Sequence, residues 1–234
     1  MKNLPTCSAG KTSFKYGEKP LPVPSWEMLK EEDIPDSIDW RNVNGTNYLS
    51  WIKNQHIPVY CGSCWAQGTT SALADRFNIM LGDSNPTPVA LSAQVIVNCE
   101  AGGDCNGGNA GGVYEFAYEE GIPDSSCEQY VAKNLGRCNA IDKCKDCTWP
   151  PCPVGQDCQD KCWAVDYKKY YASNYYSLSG AAKMKAEIAA HGPISCSMEV
   201  TDKFLNYTTG IYSEYKIFPM SNHIISVVGY GKDA

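Results

Sequence analysis

Cysteine content constrains this chain more than any other feature of its sequence. The 234 residues include 13 cysteines. Cytosolic proteins seldom carry so many cysteines outside zinc sites, because their compartment keeps thiols reduced. Two N-glycosylation sequons, Asn44-Gly45-Thr46 and Asn206-Tyr207-Thr208, fit an oxidising route of synthesis. The sequence therefore favours a disulfide-bonded protein of the endomembrane route, lysosomal or secreted.

Composition and charge argue against several other classes. Hydrophobic residues make up 43% of the chain and charged residues 20%, which is typical of a globular protein and not of a disordered one. The net charge of −6 gives no reason to expect nucleic acid, and no basic run points to an anionic membrane surface. No apolar run reaches transmembrane length. We expect a monomer that needs neither cofactor nor metal ion and does not insert into a membrane.

The character of the chain changes near residue 34. Residues 1–33 contain four prolines and few periodic apolar residues, so this segment cannot fold alone. Further along, the cysteine-dense stretch 138–162 has no period and is predicted to be a stapled loop region. Helical patterns dominate the front of the chain and strand patterns the back, which predicts an α+β protein of two lobes. The helices are predicted over 63–81 and 179–193, capped by Ser63 and Ser179, and the strands over 194–200 and 223–231.

The stretch Cys61-Gly62-Ser63-Cys64 permits four interpretations: a redox pair, half of a zinc site, a structural disulfide, or the position of a nucleophile. Against a redox pair, the aromatic residue follows the two cysteines and the rest of the chain is cysteine-rich. A nucleophile is supported by the place of Cys64 at a helix start, where the helix dipole stabilises a thiolate. Four later cysteines fit a zinc site better than Cys61 and Cys64 do. In an oxidising compartment, however, disulfides are the simpler interpretation of these four. Those four are Cys144, Cys147, Cys158 and Cys162.

Three motifs resemble those of papain-like cysteine proteases. The sequence "CGSCW" (61–65) resembles the family's nucleophile signature, and "CNGGN" (105–109) its glycine-rich strand at the substrate cleft. The segment "SNHIISVVGYG" (221–231) resembles the one that carries the family's histidine. The resemblance implies a papain-like two-lobe α+β fold, with a helical left lobe and a right lobe of β-barrel type that is incomplete in this chain.

The resemblance also implies the roles of individual residues. Cys64 is expected to be the nucleophile and His223 its acid and base, 223 − 64 = 159 residues later. This spacing exceeds the family's usual value of roughly 130–150 because of the cysteine-dense insertion. Gln55 is expected to donate to the oxyanion together with the backbone N–H of Cys64, and Gly107 and Gly108 to line the cleft. The implied chemistry is acyl transfer through an acyl-enzyme.

The short insertion His56-Ile57-Pro58 directly follows Gln55 and resembles that of a carboxypeptidase branch of the family. Histidine side chains titrate near pH 6.5, so His56 is predicted to bind a substrate's terminal carboxylate in an acidic compartment, with Ile57 anchoring the loop. We therefore predict a cysteine-type carboxypeptidase that acts on peptides and proteins with free C-termini. The alternatives are a papain-like endopeptidase, a CxxC redox protein, and a catalytically inactive, secreted, disulfide-rich interaction protein.

A zymogen and a disulfide pattern are implied as well. Residues 1–33 are expected to be a short pro-segment and 34–234 a catalytic domain that lacks its C-terminal part, because the asparagine that orients the family's histidine would lie beyond Ala234. Cys7 is expected to mask Cys64 as a disulfide, which leaves Cys196 unpaired in this chain. The other implied pairs are Cys61–Cys105, Cys99–Cys138, Cys127–Cys144 and Cys147–Cys162, with Cys152 and Cys158 of the insertion most simply paired together.

Overall fold

A computed structural model describes residues 7–13 by their backbone and residues 27, 29–84, 87–148 and 161–232. Helices and strands both occur, as the α+β prediction requires. The helices within these ranges are α1 (Cys64–Leu81), α2 (Ala93–Asn98), α3 (Ala110–Glu119), α4 (Ala140–Lys143), α5 (Ala181–His191) and α6 (Asp202–Leu205). The strands within them are β1 (Cys7–Ser13), β2 (Ile38–Asp39), β3 (Gly103–Asp104), β4 (Gly107–Gly108), β5 (Lys145–Cys147), β6 (Cys162–Ala164), β7 (Tyr171–Leu178), β8 (Ile194–Met198), β9 (His223–Val227) and β10 (Gly229–Tyr230).

Helix α1 is the centre of the molecule. Twelve of its 18 residues are buried, and they include polar residues on several sides of the helix, such as Thr69, Asp75 and Asn78. A helix that is buried around most of its circumference is enclosed by the rest of the fold, whereas a surface helix buries a single stripe. The remainder of the protein therefore packs around α1.

Two hydrophobic cores lie on either side of this helix, as two lobes require. The larger core joins Trp65, Leu73 and Phe77 of α1 to residues of α2 and α3. The smaller core includes Trp40 and Ile188 and lies under α5 and the main sheet. Each core buries its apolar side chains away from water, which is the dominant stabilising term of folding.

The main sheet has the strand order β7-β1-β8-β9, and all of its neighbouring strands are antiparallel. In this order β1 is an inner strand: residues 7–13 pair with β7, and residues 7–8 also pair with β8. The described strands form an open sheet, which agrees with the incomplete barrel-type lobe expected from the sequence. A second pairing, of β10 with β2, connects residues 229–230 to residues 38–39.

Several local predictions are confirmed and others are wrong. The helix predicted over 63–81 and the strand over 194–200 correspond to α1 and β8, and the strand over 223–231 is divided into β9 and β10. Ser179 does not cap α5. The helix begins at Ala181, its N-cap residue is Gly180, and no side chain caps it. Ser63 occupies the N-cap position of α1 but makes no capping hydrogen bond.

The disulfides follow the predicted pattern in the left lobe and depart from it elsewhere. The predicted disulfide between Cys7 and Cys64 is wrong, because Cys64 is a free thiol and Cys7 lies in β1, in register with Cys196 of β8. Cys196 is disulfide-bonded, so its predicted lack of a partner is also wrong. Cys152 and Cys158 lie outside the described residues. Four disulfides match the predicted pairs: Cys61–Cys105, Cys99–Cys138, Cys127–Cys144 and Cys147–Cys162.

A buried ion pair connects α1 to α5 across the two lobes. Arg76 Nη1 lies 2.8 Å from Glu187 Oε1, and the two side chains are 1% and 0% exposed. The Arg76 guanidinium also donates to the carbonyl oxygens of Pro193 and Gly192, at 2.6 and 3.2 Å. The Tyr176 hydroxyl donates to the second carboxylate oxygen of Glu187 at 2.7 Å. Both charges are thus compensated, which is what makes their burial tolerable.

We expect Glu187→Gln to lower the free energy of unfolding by about 3–5 kcal/mol, because it leaves the buried Arg76 charge without its counterion. Chemical denaturation measures this loss. As a control, Lys232→Gln breaks the exposed pair with Asp36 and leaves stability essentially unchanged. An equal effect of the two substitutions would show that the Arg76–Glu187 pair does not hold the lobes together.

Candidate active site

The three predicted catalytic residues lie together in one cleft. Cys64, His223 and Gln55 all line a cavity of about 320 Å³ between the start of α1, strand β9 and the loop that precedes α1. They are separated by up to 168 residues of sequence (223 − 55) and are brought together by the packing of β9 on α1. A thiol, an imidazole and an amide in one cleft are the groups that thiol-based acyl transfer needs.

Cys64 is positioned by the loop that leads into α1. It is the first residue of the helix and carries a free, partly exposed thiol. The preceding loop is fixed by the Cys61–Cys105 disulfide and by the Gly62 N–H, which donates to the Cys105 carbonyl at 2.7 Å. A Cβ at residue 62 would lie 2.7 Å from that same oxygen, so the close approach requires glycine. The thiol is therefore held at the helix N-terminus, where the dipole favours an anion.

His223 reaches the cleft because β9 packs closely on α1. A Cβ at Gly68, one turn after Cys64, would lie 3.1 Å from the Ile224 carbonyl oxygen, so a small residue allows this contact. The pKa of His223 is lowered, first by burial and second by the charge of His56. Within the described part of the chain, no side chain forms a hydrogen bond with the His223 ring. The site thus holds a half-buried imidazole that favours its neutral form.

Gln55 has a side-chain amide in the same cleft. Its Nε2 donates to the Cys61 carbonyl oxygen at 3.2 Å. An amide nitrogen carries two protons, so one remains for an oxygen that enters the cleft. This geometry is compatible with the predicted oxyanion role, which stays a prediction.

His56 is fixed within the loop that follows Gln55. Its ring stacks on that of Tyr60, with centroids 4.5 Å apart and planes 10° apart. His56 Nδ1 accepts the N–H of Cys61 at 3.4 Å, and the backbone N–H of His56 donates to Asn54 Oδ1 at 2.9 Å. The expected anchoring by Ile57 is wrong, since that side chain is 61% exposed. Stacking on Tyr60 takes its place.

The glycines Gly107 and Gly108 form β4, which pairs with β3 beside helix α1. A Cβ at Gly108 would lie 2.6 Å from the indole ring of Trp65, so this position requires glycine. Both residues are exposed and stand outside the set that lines the cavity of Cys64. Their role in binding substrate stays a prediction.

Sequence reasoning missed two charged groups that line the same cleft. Lys53 is partly buried, and its Nζ donates to Thr70 Oγ1 at 3.3 Å; the loss of solvent around it lowers its pKa to about 8. Asp75 accepts the N–H of Ser50 at 2.6 Å; burial raises its pKa to about 6. Nothing in the local sequence distinguishes these residues from solvated charges, because their burial arises from the surroundings of α1.

The described residues contain neither a metal-binding cluster nor a helix able to span a membrane. No group of three or more histidine, cysteine, aspartate or glutamate side chains in these ranges is arranged to hold a metal ion. None of the helices there combines the length and apolar character that crossing a membrane requires.

Comparison with known proteins agrees with the geometry of the cleft. The sequence profile described as "Papain family cysteine protease" matches residues 34–234. The chain belongs to the papain family of cysteine proteases. "Cathepsin Z" of Onchocerca volvulus is 46% identical over 209 residues, which are 89% of this chain and 64% of that protein.

Two further comparisons extend this result. "Cathepsin B-like cysteine proteinase 4" of Caenorhabditis elegans is 30% identical over 230 residues, 90% of this chain and 68% of that protein. The solved structure of digestive procathepsin L 3 from Tenebrio molitor larval midgut has a TM-score of 0.63 at 22% identity, and covers 96% of this chain and 62% of its own. The papain-like α+β fold is thereby confirmed. The chain spans about two thirds of the length of these curated relatives.

We expect His56→Ala to raise the pKa of His223, because it removes the like charge that lowers it. NMR titration of the imidazoles measures this directly, since the chain has three histidines. A Cys64→Ser background removes the titration of the thiol. The control His191→Gln alters the imidazole beside Glu187 and leaves the His223 titration unchanged. An unaltered titration in His56→Ala would show that the two imidazoles do not interact.

We also expect Asp75 to make the protein more stable in acid. Its folded pKa of about 6 lies above its ordinary 3.8, so its contribution to stability is complete below about pH 4 and is lost as pH rises through 6. A difference of this size corresponds to about 3 kcal/mol. Asp75→Asn should remove this dependence when the free energy of unfolding is measured between pH 4 and 7. The control Asp166→Asn, at an exposed carboxylate, should retain it. Parallel curves for all three proteins would contradict the assignment.

Proposed function

We propose that the protein is a cysteine-type carboxypeptidase, which removes single residues from the free C-termini of peptides and proteins. The observation that carries this proposal is the position of His56. Its ring is held by Tyr60 and Cys61 in the loop directly after Gln55, just outside the residues that line the Cys64 cavity, and its charge lowers the pKa of His223. A cationic group beside the nucleophile is what recognition of a terminal carboxylate requires.

The chemistry of the cleft is acyl transfer. His223 takes the proton of the Cys64 thiol, and the thiolate attacks the carbonyl carbon of the last peptide bond. The resulting oxyanion accepts hydrogen bonds from Gln55 and the Cys64 N–H. His223 gives a proton to the departing amine as the C–N bond breaks, which leaves an acyl-enzyme. Water, deprotonated by His223, then attacks the acyl carbon and releases the shortened peptide and the thiol.

The tautomer of His56 explains how it presents a proton. Because Nδ1 accepts the Cys61 N–H, the proton of the neutral ring lies on Nε2, the nitrogen that the loop leaves free. In an acidic compartment an imidazole also takes a proton on its second nitrogen, which in His56 replaces the contact with the Cys61 N–H. The positive ring then forms a stronger, charge-assisted hydrogen bond to a carboxylate. The charged ring then favours a terminal carboxylate over an internal peptide group, which carries no charge.

The remainder of the proposal concerns synthesis and location. The disulfides, together with the relatives named as cathepsins, support a lysosomal or secreted protein. We propose that residues 1–33 are a pro-segment and that 34–234 belong to the catalytic domain, a boundary that coincides with the start of the family match. Cys64 is a free thiol, so inhibition by such a pro-segment would have to act without a disulfide to the nucleophile.

We expect His56→Ala to reduce the preference for a free C-terminus at pH 5 by about tenfold or more, the cost of one charge-assisted hydrogen bond. The measurement compares the kcat/KM of a peptide with a free C-terminus and of its amidated form, at pH 5 and pH 7. His191→Ala is the matched control and should retain the preference, whereas Cys64→Ser should abolish turnover of both peptides.

The same assay separates the alternatives. Equal rates on both peptides, unchanged by His56→Ala, would favour an endopeptidase. No turnover of either peptide by the wild-type protein would favour an inactive interaction protein.

A further inference from the structure

The hydroxyl group of Tyr130 contacts both sides of the loop that holds the catalytic groups. Tyr130 OH lies 2.8 Å from the carbonyl oxygen of Gln55 and 2.5 Å from Ser63 Oγ. Gln55 carries the expected oxyanion amide, and Ser63 directly precedes Cys64. One side chain, 67 residues further along the chain than Ser63, therefore bridges the two positions whose spacing defines the oxyanion site.

Elementary bonding rules assign the protons of this bridge. A carbonyl oxygen is only an acceptor, so the single phenolic proton of Tyr130 is donated to Gln55. The Ser63 hydroxyl must then donate its own proton to the Tyr130 oxygen. Ser63 is fully buried at the N-cap of α1, yet its side chain does not cap the helix. Its hydroxyl makes the Tyr130 contact in place of the capping bond that serine usually makes at this position.

Tyr130 is itself held firmly. The N–H of Val131 donates to the buried Gln94 side chain of α2 at 2.9 Å. The carbonyl of Glu128 accepts the hydroxyl of buried Ser92 at 2.8 Å. The loop it contacts gains little from hydrophobic packing, since Ile57, Val59 and Tyr60 are exposed by 61, 43 and 78%. Through Tyr130, the loop of Gln55 is therefore connected by hydrogen bonds to helix α2.

We propose that Tyr130 is a positioning residue, whose hydroxyl fixes the Gln55 amide relative to the start of α1 and so preorganises the oxyanion site. This inference rests on the proposed peptidase function. Preorganised donors stabilise charge that develops in the transition state and contribute little to ground-state binding. Loss of the bridge should therefore lower kcat and leave KM nearly unchanged.

The test substitutes Tyr130→Phe in the full chain, which removes one oxygen atom and keeps the ring. We expect kcat for a peptide substrate to fall about tenfold or more, with KM within about twofold, because one hydrogen bond to a catalytic loop is lost. Affinity for a peptide aldehyde, whose adduct with Cys64 places an oxyanion in the site, should fall in proportion. The rate of Cys64 alkylation by iodoacetamide, which forms no oxyanion, should not change.

Tyr114→Phe provides a matched control. The Tyr114 and Ser195 hydroxyls form a buried pair 2.7 Å apart, outside the residues that line the cleft. Loss of this hydrogen bond should lower the stability of the protein and leave kcat unchanged. The double variant Tyr130→Phe, Ser63→Ala should be no slower than Tyr130→Phe alone, because both changes break one network.

The outcomes are distinct. If Tyr130→Phe has the kcat and aldehyde affinity of Tyr114→Phe, the positioning role is wrong while the peptidase function stands. If the alkylation rate falls as much as kcat, Tyr130 acts on the thiol or on folding, and the inference is likewise overturned. A wild-type protein without turnover would overturn both the proposed function and this inference.

Discussion

Burial of helix α1 between two cores is the constraint on which the rest of the structure depends. The helix carries the free thiol at its first residue and is clamped further along by the Arg76–Glu187 pair, both of whose side chains are almost completely buried. A buried charge must be compensated locally, so α5 and the turn after it are held in one place relative to α1. Strand β8 follows that turn, and β9, with His223 at its start, pairs with β8. The ion pair and the imidazole of His223 are therefore linked through two neighbouring strands.

Close packing also explains the electrostatics of the cleft. Gly62 and Gly68 allow backbone segments to approach where a Cβ would lie within about 3 Å of a carbonyl oxygen. The resulting exclusion of water lowers the pKa of His223 and Lys53 and raises that of Asp75. In each case burial is the largest cause and disfavours the charged form. A site of this kind makes interactions between its remaining charges stronger than they would be in water, and this is why His56 influences His223.

The loop between Gln55 and Cys64 shows how polar contacts take over where hydrophobic packing is weak. Most of its apolar side chains are exposed, and its shape depends on the Cys61–Cys105 disulfide, the stack of His56 on Tyr60, and the Tyr130 hydroxyl. Such contacts are directional, so they define positions more narrowly than apolar contacts of equal energy. A group that recognises a substrate terminus or stabilises an oxyanion must be held in such a narrowly defined position.

Much of this protein could be predicted from its sequence, because some signals are local. The periodicity and termini of α1, the strands around His223, and the cysteine-rich signature at Cys64 depend on neighbouring residues, and they indicated the helix, the fold and the residues of the cleft. Four disulfides were predicted correctly by resemblance. Only the tertiary structure decided how distant groups meet. It placed β1 inside the sheet with Cys7 in register with Cys196, left Cys64 free, buried Lys53 and Asp75, and brought Tyr130 to Ser63. The physical reason is that strand order, burial and long-range hydrogen bonds depend on which surfaces the whole chain removes from water, and no short stretch of sequence contains that information.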